Sequence, residues 1–166
     1  MQTGTDTQPK GGKIADPHAL RHPTLSFYLD KWRERRGERQ MPARHDIRLS
    51  DLKAFASNMV IAEVVGDGAD FRFKLIGTAA AEYSFKGQTG RTVREIYTGD
   101  LAAFGEGVLD IYSTVAGAGH PVYAHVDAFR WINDLPMNFE AVHLPLSNDG
   151  SRVDFILSAL VCDYAS

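Results

Sequence analysis

The order of the predicted elements indicates an α+β domain, in which helices cover one face of a five-stranded antiparallel sheet and an amphipathic helix comes first. Two apolar runs with a hairpin signal between them precede a helical middle section, and three further apolar runs close the chain. Strands joined by short turns pair antiparallel, and a sheet buries its apolar face against other elements. The sequence therefore predicts a sheet whose covered face can form a pocket or a docking surface.

Length and composition set the limits of this fold. The chain has 166 residues and one cysteine, Cys162, so no intramolecular disulfide can form. We expect residues 1–20, which are poor in apolar side chains, to be a disordered tail, and residues 21–166 to form a single domain. Since no run approaches the roughly 20 apolar residues that cross a bilayer and the first residues lack a secretory signal, we expect a cytoplasmic protein.

The first helix is predicted at Pro23–Arg36. Proline is favoured at the first helical position, and Gly37 suits the position just past the end. Apolar side chains recur at the spacing i, i+3, i+4 and i+7, which places them on one face, and they are Leu25, Tyr28, Leu29 and Trp32. We expect this face either to pack on its own domain or to form, in addition, the contact of a homodimer or another partner.

The charge is uneven along the chain. Eight basic and four acidic residues give the segment 20–48 a charge of +4, and since the whole chain carries −3, the remainder carries −7. A basic segment can meet nucleic acid, an anionic partner or the acidic face of its own domain. The interspersed acids argue against a dedicated phosphate-binding stripe. A nucleic-acid binder is therefore a lesser alternative, and its candidate residues are Arg33, Arg35, Arg36 and Arg39.

The first strand pair is predicted at Met59–Val65 and residues 71–77, with a glycine-rich hairpin signal between them. Because side chains alternate between the faces of a strand, one face of the second strand should carry Phe71, Phe73, Leu75 and Gly77. The closing strands are predicted at 122–129, 138–146 and 153–164. The last of these is apolar on both faces, which indicates that both are covered, and the first helix is the expected cover of the second face.

A longer helix is predicted at about residues 100–116, with its apolar face toward the sheet. Gly105 and Gly107 within it each cost about 1 kcal/mol relative to alanine, or they permit close approach of the sheet. We expect a candidate ligand pocket between this helix and the sheet. Its predicted lining is Tyr83, Phe104, Val108, Tyr112, His125 and His143.

The two histidines of this set lie on strands that are neighbours in the chain, so His125 and His143 are expected on the inner sheet face. The simpler interpretation is that each is a partly buried, hydrogen-bonded histidine of the core. We assign no metal site and no catalytic residue. The sequence lacks a phosphate-binding glycine loop, a serine nucleophile elbow and a cysteine-based zinc cluster, which indicates a sensing or interaction module rather than an enzyme.

Short motifs follow one another in a defined order from residue 22 onward. They are His22-Pro23, Tyr28 with Trp32, Met41-Pro42-Ala43-Arg44 with Asp46, Asp70-Phe71-Arg72-Phe73, Gly77-Thr78-Ala79, Thr89-Gly90-Arg91, Leu144-Pro145-Leu146-Ser147 and Asp149-Gly150. Together they resemble the PAS-like domain family that is widespread in alphaproteobacteria. The resemblance implies a five-stranded antiparallel sheet with its first strand between the second and the last, and helices over the concave face.

The same resemblance implies sensing, signalling or protein–protein interaction, often as a homodimer, but it supplies no ligand or cofactor. Flavin-adduct relatives need a cysteine on a middle helix, and this chain has none there. Haem-binding relatives use a histidine on the long helix, and the long helix predicted here contains none before His120. The main hypothesis is a signalling module that acts through a protein partner, with a small molecule in the pocket as a further option. The alternative is a cone-shaped α+β enzyme or binding protein with an Asp127–His143 pair, and strand order separates the two.

Overall fold

The structure, a computed structural model, describes residues 10–13, 20, 22–82, 87–130 and 136–164, with side chains for all of these except 10–13, 126–130, 136 and 164. Its helices are α1 (Pro23–Arg36), α2 (Thr78–Ala80), α3 (Val93–Ile96) and α4 (Ala102–Ala118). Its strands are β1 (Lys10–Lys13), β2 (Met59–Val65), β3 (Asp70–Ile76), β4 (Val122–Arg130), β5 (Pro136–Leu146) and β6 (Phe155–Tyr164). Within the described part of the chain, no helix is long and apolar enough to cross a membrane.

All strands belong to one antiparallel sheet in the order β1-β4-β5-β6-β2-β3. The five predicted strands are therefore confirmed, and the first of them, β2, lies between β3 and β6. This is the order that the family resemblance implies, and it argues against the cone-shaped alternative. Because β2 and β6 pair although they lie far apart in the chain, the middle section must cross over the sheet.

A sixth, short strand extends the sheet beyond the prediction. Its residues Lys10–Lys13 pair with the first residues of β4, from Lys13 opposite Val122 to Lys10 opposite His125. The composition of residues 1–20 indicated disorder because it offers little apolar surface. Pairing with an edge strand needs only backbone donors and acceptors, which that composition does not reveal. Leu20, the last residue of the predicted tail, is buried in the core.

The register shows which residues share a face of the sheet. His143 of β5 lies opposite Ser158 of β6, so both side chains point to the same face, which we call the inner face. The other face, the outer face, carries alternate residues of β5 that are fully buried: Val142, Leu144 and Leu146. Helices α4 and α1 both contact β5 and β6. Since α4 lies on the inner face, α1 covers the outer one, as predicted.

A register shift between β2 and β3 places one residue of β3 on a different face of the sheet from the predicted one. Phe73 lies opposite Ala62, whereas Leu75 lies opposite Ile61, so the register shifts between these two pairs. The extra residue in β3 is Lys74, and a bulge of this kind reverses the alternation beyond it. Phe71 and Phe73 therefore share the inner face, but Leu75 lies on the outer one. The prediction that all of these side chains share one face is wrong for Leu75.

Gly105 of α4 lies where a side chain would collide with a neighbouring segment. A Cβ atom at this position would lie 2.5 Å from Cβ of Tyr97, just after α3. The missing side chain thus lets α4 approach the segment that follows α3. The sequence suggested close approach of the sheet, whereas the close neighbour of Gly105 is this preceding segment.

Candidate functional site

Tyr112 is the centre of the contact between α4 and the inner face. Its ring packs edge-on against Phe71 at 5.2 Å and against His143 at 5.4 Å between ring centroids. Phe73 lies 6.4 Å away on the same strand as Phe71. Helix α4 therefore docks through one tyrosine that touches side chains of β3 and β5.

Beneath this ring lies a set of polar groups that we call the polar cluster, formed by Tyr112, His143 and Ser158. His143 Nδ1 and Ser158 Oγ lie 2.7 Å apart, within hydrogen-bonding distance. A side-chain hydrogen bond also links Tyr112 and Ser158. Ser158 is 0% exposed, and the other two residues are almost fully buried. One serine hydroxyl thus joins α4, β5 and β6.

Burial controls the charge of the polar cluster. Desolvation lowers the pKa of His143 to about 4, because an imidazolium ion is costly to bury. Desolvation also raises the pKa of Tyr112 well above its usual value. Both side chains are therefore neutral near pH 7, so the cluster offers hydrogen bonds without a net charge.

The other predicted pocket residues on α4 lie at the margin of this contact. Phe104 and Val108 are half-buried and pack against the core. The ring of Phe104 lies 5.1 Å from that of Tyr97. Tyr83 lies outside the described residues. The structure thus brings Tyr112 and His143 together, and places Val108 about one turn and Phe104 about two turns of α4 earlier.

His125 lies on the opposite face of the sheet from His143. His143 faces Val122 across the β4–β5 ladder, whereas His125 faces Glu140. Because His125 is three residues from Val122, the alternation of the strand turns it to the outer face. There its ring stacks at 5.7 Å on Tyr123, whose hydroxyl donates to Glu140. The expectation that both histidines line the inner face is therefore wrong for His125.

The apolar stripe of α1 is used inside the chain. Leu25, Tyr28, Leu29 and Trp32 are between 0% and 2% exposed. The indole N–H of Trp32 donates to the Pro145 carbonyl at 2.8 Å, and the Tyr28 hydroxyl donates to the Phe55 carbonyl at 2.8 Å. These side chains have no free surface for a partner in this structure. A homodimer remains a prediction, and it would use another side of α1.

Several arginines near the end of α1 also have partners within the chain. Arg35 forms an ion pair with Asp51, and Arg39 forms one with Asp46 at 2.9 Å. The guanidinium of Arg36 lies over the Trp32 ring at 5.3 Å. A nucleic-acid phosphate would have to compete with these contacts, so they weaken the case for that alternative.

A second site, which the sequence analysis missed, is an open cleft of about 660 Å³ at one end of the sheet. We call it the turn cleft. Its walls are the β2–β3 turn, the last two turns of α4 and the β5–β6 turn, and its lining is Val64, Gly66, Asp67, Gly68, Ser113, Ala116, Gly117, Ser151, Arg152, Val153 and Asp154. The β2–β3 turn was recognised from the sequence as a hairpin signal. That the two turns meet follows only from the pairing of β2 with β6.

The β5–β6 turn is rigidly built. The Asp149 carboxylate accepts from the backbone N–H groups of Ser151 and Arg152, both at 2.9 Å. These hydrogen bonds, with one from Ser147, hold the pKa of Asp149 well below its usual range. The turn is joined to β2, because the Val64 N–H donates to the Asp154 carbonyl at 2.9 Å. The wall of the cleft that this turn forms is therefore held in place without a ligand.

Neither site has the composition of a metal centre. Among the residues that the structure describes, no group of three or more His, Cys, Asp or Glu side chains is placed to hold a metal ion. The side chain of Asp127, the other member of the predicted pair with His143, lies outside the described part of the chain. Burial raises the pKa of the Cys162 thiol to about 11, which makes it a poor nucleophile near pH 7.

Comparison with known proteins agrees with the fold. A family model described as a PAS domain matches residues 20–161 of this chain. No curated protein matches the chain. The matched range contains α1, the polar cluster and the five predicted strands except the last three residues of β6, and it begins after β1. The short strand β1 is therefore an addition to the part of the chain that the family model describes.

Proposed function

Because the chain belongs to the PAS domain family, we propose that it is a signalling module whose sensing site is the polar cluster between α4 and the sheet. Its output passes to a protein partner. PAS domains are in general sensory and signalling modules, and no feature of an enzyme is found among the described residues. The specific mode proposed here is detection of a small molecule at the Tyr112–His143–Ser158 cluster.

The observation that carries this proposal is the burial of three polar side chains, each 5% exposed or less, in an apolar setting. Their neighbours on the inner face include Phe71 and Phe73, which are both 0% exposed. Buried polar groups cost free energy unless they are fully hydrogen-bonded, so apolar side chains would pack this position at lower cost. A ligand that forms hydrogen bonds with the cluster would account for polar side chains at this buried position.

The neutral state of the cluster limits the ligand. With the pKa of His143 lowered to about 4, the imidazole presents one donor or acceptor and no positive charge at pH 7. An anionic ligand would find no counter-charge in this cluster. We therefore expect an uncharged molecule with hydrogen-bonding groups.

A second candidate function is interaction without a ligand. It is favoured by the close ring contacts of Tyr112 with Phe71 and Phe73, since the protein's own aromatic side chains occupy this part of the inner face. In that case the cluster would fix the position of α4 on the sheet, and α4 and α1 would present the partner surface. The two candidates differ in whether the purified protein carries or accepts a small molecule.

Amide hydrogen exchange measured by mass spectrometry tests which of the two candidate functions is correct. The protein is measured as purified, after unfolding and refolding to remove bound molecules, and again after the released fraction is added back. We expect removal to speed exchange in α4, β5 and β6, and the added fraction to reverse it. Ser158→Ala, which breaks the link between Tyr112 and His143, should abolish the reversal.

The control variant is Lys53→Ala, which changes an exposed residue away from the cluster and should respond as the unchanged protein does. If no small molecule is released and exchange is the same before and after refolding, ligand sensing is contradicted. The interaction function then remains as the explanation of the cluster.

A further inference from the structure

The turn cleft is a second candidate binding site, separate from the polar cluster. The lining residues of α4 are Ser113, Ala116 and Gly117, whereas α4 reaches the polar cluster through Tyr112. The volume of about 660 Å³ lies within the range of about 300–1,000 Å³ that is usual for small-molecule sites. The cleft can therefore accept a ligand independently of any event at the polar cluster.

The lining of the cleft is formally negative. It contains the carboxylates of Asp67 and Asp154 and the guanidinium of Arg152. Arg152 pairs with Asp154, with 3.3 Å between Nη2 and Oδ1, so these two charges largely cancel. The Asp67 side chain takes part in no hydrogen bond or ion pair with the described residues. One uncompensated carboxylate remains at the edge of the cleft.

The end of α4 adds negative potential at the same place. The last carbonyl groups of an α-helix lack intrahelical donors and carry the negative end of the helix dipole. Ala116 and Gly117, which line the cleft, belong to the last turn of α4, and this turn contains no basic residue. The dipole is thus not offset from within the helix, and a cation in the cleft would offset it.

The backbone at Asp67 is specialised for this position. Asp67 is the only residue other than glycine with a positive φ among the described residues, at 55°. Aspartate and asparagine tolerate this left-handed conformation better than other side chains. Gly66 and Gly68 flank it, also with positive φ. The turn therefore holds a carboxylate at the edge of the cleft in a conformation that asparagine can keep.

From the cavity, the free carboxylate and a helix end that has no basic residue in its last turn, we infer that the turn cleft binds a small organic cation, such as an alkyl ammonium or guanidinium compound. The ammonium groups would lie near Asp67 and the end of α4. The hydroxyls of Ser113 and Ser151, which also line the cleft, supply further hydrogen-bond acceptors. A dication that spans both regions should bind better than a monocation.

Titration of the whole protein with three four-carbon compounds tests this assignment by nuclear magnetic resonance. The probes are putrescine, a dication; 1,4-butanediol, its neutral analogue; and succinate, a dianion. We expect saturable amide shifts with putrescine alone, confined to residues 64–68, 113–117 and 151–154. Equal binding of butanediol, or shifts that map elsewhere, would overturn the inference.

Two variants test whether binding requires the negative charge of the cleft, and neither should disturb the fold. Asp67→Asn keeps a residue that tolerates the positive φ, and Gly117→Lys adds an ammonium group where a Cβ atom meets nothing within 4 Å. Each should weaken putrescine binding about tenfold or more, which is the effect of one lost or opposed charge contact of roughly 1.4 kcal/mol. Asp30→Asn, on the exposed side of α1, is the matched control and should bind putrescine normally.

The blocked peptide acetyl-Gly-Lys-Gly-amide distinguishes a free cation from a lysine of a protein partner. We expect it to bind more weakly than putrescine. Tighter binding by the peptide would overturn the small-molecule assignment, and unchanged affinity in both cleft variants would overturn the site itself. None of these outcomes depends on the hydrogen-exchange result for the polar cluster.

Discussion

Gly77 occupies a position where a side chain has no room. A Cβ atom there would lie 2.4 Å from the Ser57 carbonyl oxygen and 2.6 Å from that of Ala56. The Gly77 N–H also donates to the Met59 carbonyl at 2.7 Å. The close approach joins the end of β3 to the segment that leads into β2.

We predict that Gly77→Ala lowers the free energy of unfolding by about 1–3 kcal/mol or more, because backbone atoms must move to admit the methyl group. The matched control is Gly117→Ala in α4, whose Cβ atom would meet nothing within 4 Å. It should stabilise the protein by up to about 1 kcal/mol through helix propensity. Urea unfolding measures both, and equal effects would contradict the prediction.

His143 gives the protein a pH dependence of known sign. Its pKa is about 4 when folded and near 6.5 when unfolded, so the unfolded chain binds more protons between these values. Stability is then fully present above about pH 6.5 and is lost as the pH falls toward 4. Lowering the pH from about 7 to about 5.5 should cost about 1 kcal/mol at this residue.

Urea unfolding at these two pH values, compared with His143→Gln, measures this contribution. The variant should be less stable at pH 7 and should change less between the two values. The Asp149 and Asp46 carboxylates have lowered pKa values. Their stabilising contribution is present above the unfolded pKa of about 4 and is lost only as the pH falls from there toward their folded pKa values. A variant as pH-sensitive as the unchanged protein would contradict the assignment to His143.

At the scale of the element, α1 is held on the sheet by its indole as well as by its apolar stripe. Trp32 is 2% exposed, and its N–H donates to the Pro145 carbonyl in β5. Trp32→Phe would remove the donor, leave the carbonyl without that hydrogen bond and open a small space. We predict a loss of about 1–3 kcal/mol of unfolding free energy.

Denaturant unfolding of Trp32→Phe, with Lys53→Ala as control, checks this value. Lys53 is exposed and lies outside α1, so its replacement should change stability by less than about 0.5 kcal/mol. A loss of similar size in both variants would contradict the role assigned to the docked face of α1.

At the scale of the whole molecule, we propose that the chain forms a homodimer through the exposed side of α1, since its apolar stripe is occupied within the chain. Sedimentation velocity should then show a species of about twice 18.3 kDa. Arg33→Glu should weaken association, whereas Leu25→Ala should mainly lower stability, because Leu25 is fully buried. A monomer at high protein concentration would contradict the dimer.

Local patterns in the sequence were enough to predict α1, the long helix and five of the six strands. Proline and glycine at the ends of α1, the glycine-rich turn after β2 and the alternation in β3 are local signals, and local signals fix local structure. They also predicted that α1 covers the second face of the sheet. Tyr112 and His143 were predicted as neighbours because the long helix and the closing strands must face each other in such an order.

Relations that depend on strand register and on pairing between distant segments could not be read from the sequence. His125 and Leu75 lie on the outer face because of the ladder alignment and the bulge at Lys74, and a shift of one residue reverses a side chain's face. The turn cleft exists because β2 pairs with β6 and brings two distant turns together. Ser158 joins the polar cluster because the register of the β5–β6 hairpin places it opposite His143 and because Tyr112 of the distant helix α4 packs on that pair. No local pattern in the sequence reveals such a register or such a contact.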